Sequence, residues 1–213
     1  MSMIRQINLV GCGPGSPDCL TNESISVIRA SSTIIGYHRL IELFPWFDGE
    51  RVSLGLDLQA ALDKIESLRT KGPVSVLVSG DPGLFSFAKL VIRRFGRETC
   101  RLVPGISSVH VAFSRICLDW ADAKIISAHV SDPDQDLDIS MANEPKIAIL
   151  LGRSDSLNWV ISFLTKFQTE MRIFVCEDLT LPNESVREVS ETQLRGLRVS
   201  PRTVVLLIHK DLL

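Results

Sequence analysis

Two rhythms of apolar residues alternate along the first half of the chain. Short strand-like runs stand at residues 4–10, 33–36, 74–79 and 100–103; runs this short and rich in Val, Ile and Leu suit buried strands. Between them apolar residues return every third or fourth position, as on one face of a helix. Leu58, Ala61, Leu62, Ile65 and Leu68 form the clearest stripe, headed by Asp57 as a cap and stopped by Gly72-Pro73. Residues 21–30 predict a second helix, with Thr21 or Asn22 as cap and Glu23 placed favourably against the helix dipole. Two more follow, one through Leu90, Val91 and Phe95 and one over residues 109–116. Strands alternating with helices predict a mostly parallel sheet.

The rhythm changes near Leu118. Residues 123–127, 146–151, 171–176, 185–190 and 203–209 read as strands, and one amphipathic helix over 154–167 carries Leu157, Val160, Ile161 and Leu164. The other connections are too short for the crossover that a parallel pair needs, so the second half predicts a mixed sheet. Residues 132–138 read as an acidic surface loop. The expected organisation is two α/β domains, 1–117 and 118–213.

Three glycine-rich turns each follow a predicted strand: 11–17 (GCGPGSP), 80–83 (GDPG) and 104–108 (PGISS). The carboxyl ends of parallel strands are where open α/β sheets bind small ligands, so these turns are expected to surround one cofactor. The first turn falls short of the dinucleotide fingerprint G-x-G-x-x-G: Ser16 stands at the third glycine, and Gly36-Tyr37-His38 stands where an acidic residue belongs. In the second, Asp81 either accepts hydrogen bonds from a ligand's hydroxyl or ammonium groups or caps the helix that follows. Ser107 and Ser108 in the third have the same two options.

Composition narrows the classes. A net charge of −2 over 213 residues, without a basic run, argues against a nucleic-acid partner. No apolar run approaches the ~20 residues of a membrane span. Five cysteines, odd in number and without a C-x-x-C pair or a secretory leader, point to the cytoplasm. The four histidines have no ligand-like spacing, so no metal is expected. Neither a G-K-[ST] phosphate loop nor a G-x-S-x-G elbow occurs.

The ordered set of turns, residues 10–17 with Leu20-Thr21, then 79–83, then 104–108, resembles the tetrapyrrole methylase family of S-adenosylmethionine-dependent enzymes. GDPGLFS, PGISSVHVAFSR and the stretch from Leu118 through His129 look most like its precorrin-6Y methylases, which include cobalt-precorrin-7 C5-methyltransferases of cobalamin synthesis. The resemblance implies two α/β domains with S-adenosylmethionine in the cleft between them, usually in a homodimer. By position it implies cofactor contacts from Pro14, Gly15, Gly80, Asp81, Leu84, Ser107 and Ser108, and from Leu151, Gly152 and Leu179 in the second domain. It names no catalytic residue.

A tetrapyrrole carries many carboxylates, which suit Arg and Lys; the expected substrate contacts are Tyr37, His38 and Arg39, with Arg115 and Arg153 behind them. The sequence departs from the family after His129, where Val130-Ser131 replaces a glycine and a basic residue, and before the last strand, where an asparagine is missing. Larger members add a decarboxylating methyltransferase domain; this chain ends at Leu213, so decarboxylation is expected from a separate C15-methyltransferase. The other readings are a same-fold methyltransferase with another target (a different tetrapyrrole carbon, a ribosomal RNA ribose, a modified histidine) and a non-catalytic nucleotide-binding module.

Overall fold

The structure, a computed structural model, describes residues 6–129, 143–153, 155–167 and 170–213. The chain divides into two compact units, Met1–Ser107 and Ser108–Leu213.

The first unit runs β1 (Ile7–Gly11), α1 (Asn22–Arg29), β2 (Thr33–Gly36), α2 (His38–Ile41), β3 (Glu50–Ser53), α3 (Leu58–Arg69), β4 (Val74–Val78), α4 (Ala88–Phe95) and β5 (Cys100–Val103). Its strands form one parallel sheet in the order β3-β2-β4-β1-β5. β1 and β4 are buried along their whole length, because helices cover both faces of the sheet. Leu9, Ile35 and Val76 point to the side of Leu62, Ile65 and Leu68 on α3 and Ala88 and Val91 on α4. Their neighbours Val10, Ile34 and Leu77 point to the other side, against Val27 and Ile28 on α1 and Leu40 and Ile41 on α2. This is the two-residue period of a strand with both faces dry.

The caps follow the sequence. The Thr21 hydroxyl accepts from the Ser24 N–H, and the Asp57 carboxylate accepts from the Gln59 and Ala60 N–H groups. β3 is an edge strand with Glu50, Arg51 and Ser53 exposed; no apolar run announces it.

The second unit runs α5 (Ser108–Arg115), β6 (Lys124–Ala128), β7 (Lys146–Leu151), α6 (Ser156–Phe167), β8 (Met171–Glu177), β9 (Ser185–Val189), α7 (Glu191–Leu194) and β10 (Thr203–His209). The sheet order is β6-β7-β10-β8-β9. β6 and β7 are parallel, while β10 runs antiparallel to β7 and β8, and β8 to β9. The mixed sheet expected from the short connections is present. Trp159, Val160, Phe163 and Leu164 of α6 pack on Ile147, Ile149, Ile173, Val175, Val205 and Leu207. α5 packs against β10 and so belongs to this unit; the division between the units falls ahead of α5, where the sequence placed it after that helix, at residue 118. The short α7 is opened by a capping box between Ser190 and Gln193. The acidic stretch 132–138 lies outside the described residues.

Candidate functional site

In the first unit, β1 pairs in level register with both β4 and β5: Ile7 stands opposite Val74 on one side and Cys100 on the other. Three strands that start level also end level, which brings the three glycine turns to one rim. β1 and β4 are neighbours whose connections leave in opposite directions along the sheet, the topology at which α/β sheets form a ligand crevice.

The turns are welded to one another by backbone. The Gly13 N–H donates to the Gly80 carbonyl at 3.3 Å, and the Gly80 N–H donates to the Gly13 carbonyl at 2.8 Å. Both glycines have left-handed φ, +71° and +66°, a region open to glycine at little cost. Gly11 and Gly105 answer a different need, closeness. A Cβ on Gly105 would stand 2.3 Å from the Gly80 carbonyl oxygen and 2.8 Å from Gly11 Cα.

Asp81 completes the weld. Its Oδ1 accepts from the Gly83 N–H at 2.7 Å and its Oδ2 from the Gly105 N–H at 3.0 Å. The sequence allowed Asp81 to cap the following helix; instead α4 begins at Ala88, and the Ser86 hydroxyl accepts from the Ala88 N–H. Asp81 therefore staples the second turn to the third.

The other first-unit candidates lie near this rim. Pro14 is buried, Gly15 and Leu84 are half-buried, and Ser107 is buried. Tyr37, His38 and Arg39 follow the carboxyl end of β2, beside β4, and all three are exposed. His38 Nδ1 lies 3.4 Å from a Glu42 carboxylate oxygen. Cys12, at the end of β1, offers no nucleophile: burial pushes its thiol up to about 12, against smaller downward influences that include the Arg39 charge.

The second unit has a rim of its own. Ala128 pairs with Leu151, Val204 with Leu150, and Thr203 with Glu177. The carboxyl ends of β6, β7 and β8 and the start of β10 thus share one end of the sheet. Leu151, Gly152 and Leu179, expected from resemblance, all sit at that end. Leu179 is 3% exposed and is flanked by two non-glycine residues with left-handed φ, Asp178 at +48° and Thr180 at +70°. Each costs about 1–2 kcal/mol and needs surroundings that over-determine it.

Those surroundings are charged side chains. Asp178 accepts from Arg202 Nε at 2.7 Å, the Ser200 hydroxyl at 3.0 Å and Asn183 Nδ2 at 2.6 Å. Burial works to raise the Asp178 pKa, but these donors together outweigh it and hold the carboxyl below its ordinary value. Glu184 grips the same loop: it accepts a bidentate pair from Arg115 at 2.5 and 3.1 Å and the Thr180 N–H at 2.5 Å. The Arg115 guanidinium is the main reason that the Glu184 carboxyl is held low. Arg115 is thereby engaged as a clamp, and Arg153 pairs with Asp155 at 2.9 Å. Sequence reading missed the Asp178 and Glu184 clamps; the only local hint is the density of polar residues at 177–184.

Among the described residues no group of three or more His, Cys, Asp or Glu side chains is placed to hold a metal ion. No helix among them is long and apolar enough to cross a membrane.

Residues 6–195 match the family described as Tetrapyrrole (Corrin/Porphyrin) Methylases. The chain belongs to the tetrapyrrole methylase family. It is therefore an S-adenosylmethionine-dependent methyltransferase. It is 29% identical over 181 residues to a cobalt-precorrin-7 C(5)-methyltransferase of Salmonella typhimurium, covering 84% of this chain and 88% of that one. Among solved structures, the methyltransferase CobJ superposes with a TM-score of 0.81 at 21% identity, over 97% of this chain and 95% of that one. A uroporphyrin-III C-methyltransferase from Thermus thermophilus, solved with S-adenosyl homocysteine, has a TM-score of 0.76 at 20% identity, over 95% of this chain and 97% of that one. Both share the fold.

The residues of the first rim fit the tetrapyrrole methylase's methyl donor. Each Asp81 oxygen has one backbone donor and keeps acceptor capacity, and the Ser107 and Ser108 hydroxyls stand at the third turn. A Cβ on Gly80 would meet nothing nearer than 3.6 Å, so the second turn presents open backbone to a ligand. Acceptors of this kind suit an ammonium group and ribose hydroxyls.

Proposed function

We propose that this tetrapyrrole methylase transfers a methyl group to carbon 5 of a corrin-pathway tetrapyrrole of the precorrin-6Y or cobalt-precorrin-7 type, in cobalamin synthesis and without decarboxylation. The observation that carries the reading is the 29% identity to a cobalt-precorrin-7 C(5)-methyltransferase, spread over 84% of the chain. A separate decarboxylating C15-methyltransferase would act on the same skeleton.

Bound S-adenosylmethionine supplies a methyl on a cationic sulfonium; the protein's work is alignment and exclusion of water. Donor contacts come from Pro14, Gly15, Gly80, Asp81, Leu84 and Ser107, from Ser108 at the head of α5, and from Leu151, Gly152 and Leu179. Asp81, pinned from both sides, holds negative charge at a fixed place for the ammonium or ribose of the donor. Arg39, with Tyr37 and His38, receives a substrate carboxylate at the end of β2.

The assembly proposed is a homodimer. Beside β5, an edge strand, lies a groove of about 740 Å³ whose lining includes Leu84, Phe85, Ile92 and Leu102. Phe85 is 61% and Leu102 43% exposed. Apolar side chains gathered at an open sheet edge invite a partner, and a second copy is the occupant proposed. The described cysteines are all free thiols, in keeping with a cytoplasmic location.

The test is incubation of purified protein with S-adenosylmethionine carrying a carbon-13 methyl, and with precorrin-6 and precorrin-7 type intermediates with and without cobalt. One added methyl at carbon 5, with no loss of carbon dioxide, is the expected product. Methylation at another carbon would move the protein to another target of the family. Sedimentation of the same sample should give a dimer mass, and Leu102→Glu should shift it toward the monomer.

A further inference from the structure

Gly152 is a glycine for the sake of one side chain. A Cβ there would stand 1.9 Å from Nδ1, 2.4 Å from Cγ and 2.5 Å from Cε1 of His129. Its φ lies outside the left-handed region, so the backbone does not demand glycine; the imidazole does. The ring lies over Gly152 with Nδ1 3.4 Å from the Leu151 carbonyl oxygen. A carbonyl only accepts, so this contact places the neutral ring's hydrogen on Nδ1. The lone pair is then on Nε2. A seat shaped by a missing side chain and a tautomer set by backbone make an oriented proton acceptor at the end of β6.

Among the described residues of that rim, the carboxylates at the end of β8 and in the loop after it are committed. Asp178 is paired with Arg202, Glu177 with Arg187 and Glu184 with Arg115, and two of these carboxyls are held below their ordinary values. The remaining histidines are engaged elsewhere: His38 with Glu42, His209 with Asp211, and His110 against the Trp120 ring.

We propose that His129 is the catalytic base that takes the proton from the carbon being methylated. This rests on the function proposed above, in which Leu151 and Gly152 contact the donor and a bridge carbon bearing hydrogen is the target. Carbon 5 uses an electron pair to form the new carbon–carbon bond, and the pair of the broken sulfur–methyl bond stays on sulfur, leaving a neutral thioether. The carbon 5–hydrogen pair returns to the macrocycle while the proton passes to His129 Nε2. The Leu151 carbonyl accepts from Nδ1–H of the resulting imidazolium, which then gives its proton to water.

Single-turnover methyl transfer by the full chain tests this, with His129→Ala and His129→Gln compared at matched S-adenosylmethionine affinity measured by equilibrium dialysis. The expected result is a loss of about 100-fold or more in the transfer step for both variants. Added imidazole should partly restore His129→Ala, because the space above Gly152 accepts a free ring. A substrate deuterated at carbon 5 should show a larger isotope effect in the variants than in the parent. Activity of His129→Ala within threefold of the parent overturns the proposal. So does full activity of His129→Gln, which keeps a polar side chain but no base, or a loss that imidazole leaves untouched while affinity for the donor is intact. If the parent protein itself fails to methylate carbon 5, the function reading falls and this assignment with it. A parent that methylates carbon 5 beside an unimpaired His129→Ala overturns the base alone.

Discussion

The two units hold their loops still by opposite means. In the first, three turns are locked backbone to backbone: two glycines exchange hydrogen bonds, two more pack within van der Waals reach, and a single carboxylate spans the remaining gap. In the second, the loop around Leu179 carries two left-handed non-glycine residues and is gripped by Asp178 and Glu184, each in turn gripped by an arginine. Close-packed glycine gives rigidity that depends on volume. Ion-paired carboxylates give rigidity that depends on protonation. The comparison teaches that a rim of loops can be made stiff without a glycine motif, provided that charged partners arrive from elsewhere in the fold.

The largest effect expected from breaking this contrast is at Gly105. Gly105→Ala places a methyl 2.3 Å from a carbonyl oxygen, with backbone on every side that would have to move. Urea unfolding should show a loss of about 3 kcal/mol, and donor binding should fail with it. An alanine tolerated within about 0.5 kcal/mol would show that the first rim is looser than its contacts imply.

Next comes Asp178→Ala, which removes the acceptor shared by Arg202, Ser200 and Asn183 and should cost about 2 kcal/mol. The same clamp predicts a pH dependence. The Asp178 and Glu184 carboxyls are depressed in the folded state, so their contribution is fully present above the ordinary carboxylate value of about 4. It is lost as pH falls through the lower folded-state values. Unfolding measured from about pH 6 downward should lose stability below about pH 4, and Asp178→Ala should flatten that slope. An unchanged slope would mean that other carboxylates carry it.

The smallest effect is expected from Arg115→Ala. The pair with Glu184 is partly solvated on the arginine side, so stability should fall by about 0.5 kcal/mol. The Glu184 carboxyl should return toward its ordinary value, read by carbon-13 NMR titration. A much larger loss would mark the Thr180 turn as the weak point of the second rim.

Legibility followed the same divide. β7 and β10 stand where the apolar runs placed them, at residues 146–151 and 203–209, because a run of apolar residues buried along nearly its whole length has few other places to go. The three glycine turns were visible for a related reason: left-handed φ and backbone contact restrict the residue type, so the requirement is written at the position itself. β3, α2 and α7 were missed because an exposed edge strand and single turns of helix bury too little to leave a pattern. The role of Asp81 was half legible. Its place at a strand end was evident, but its partner Gly105 belongs to another strand's turn.

What the chain's order of residues determined by itself is the class of fold, the parallel and mixed sheets, and the rim at which the first three turns gather, since periodicity and glycine act locally. Only tertiary structure decided that Asp178 meets Arg202, that Glu184 meets Arg115, and that Gly152 is empty so that His129 can lie over it. Each of these joins residues on different strands or loops, and a side chain's partner across a sheet is set by register and sheet order. A linear pattern does not carry those quantities; the packed strands do.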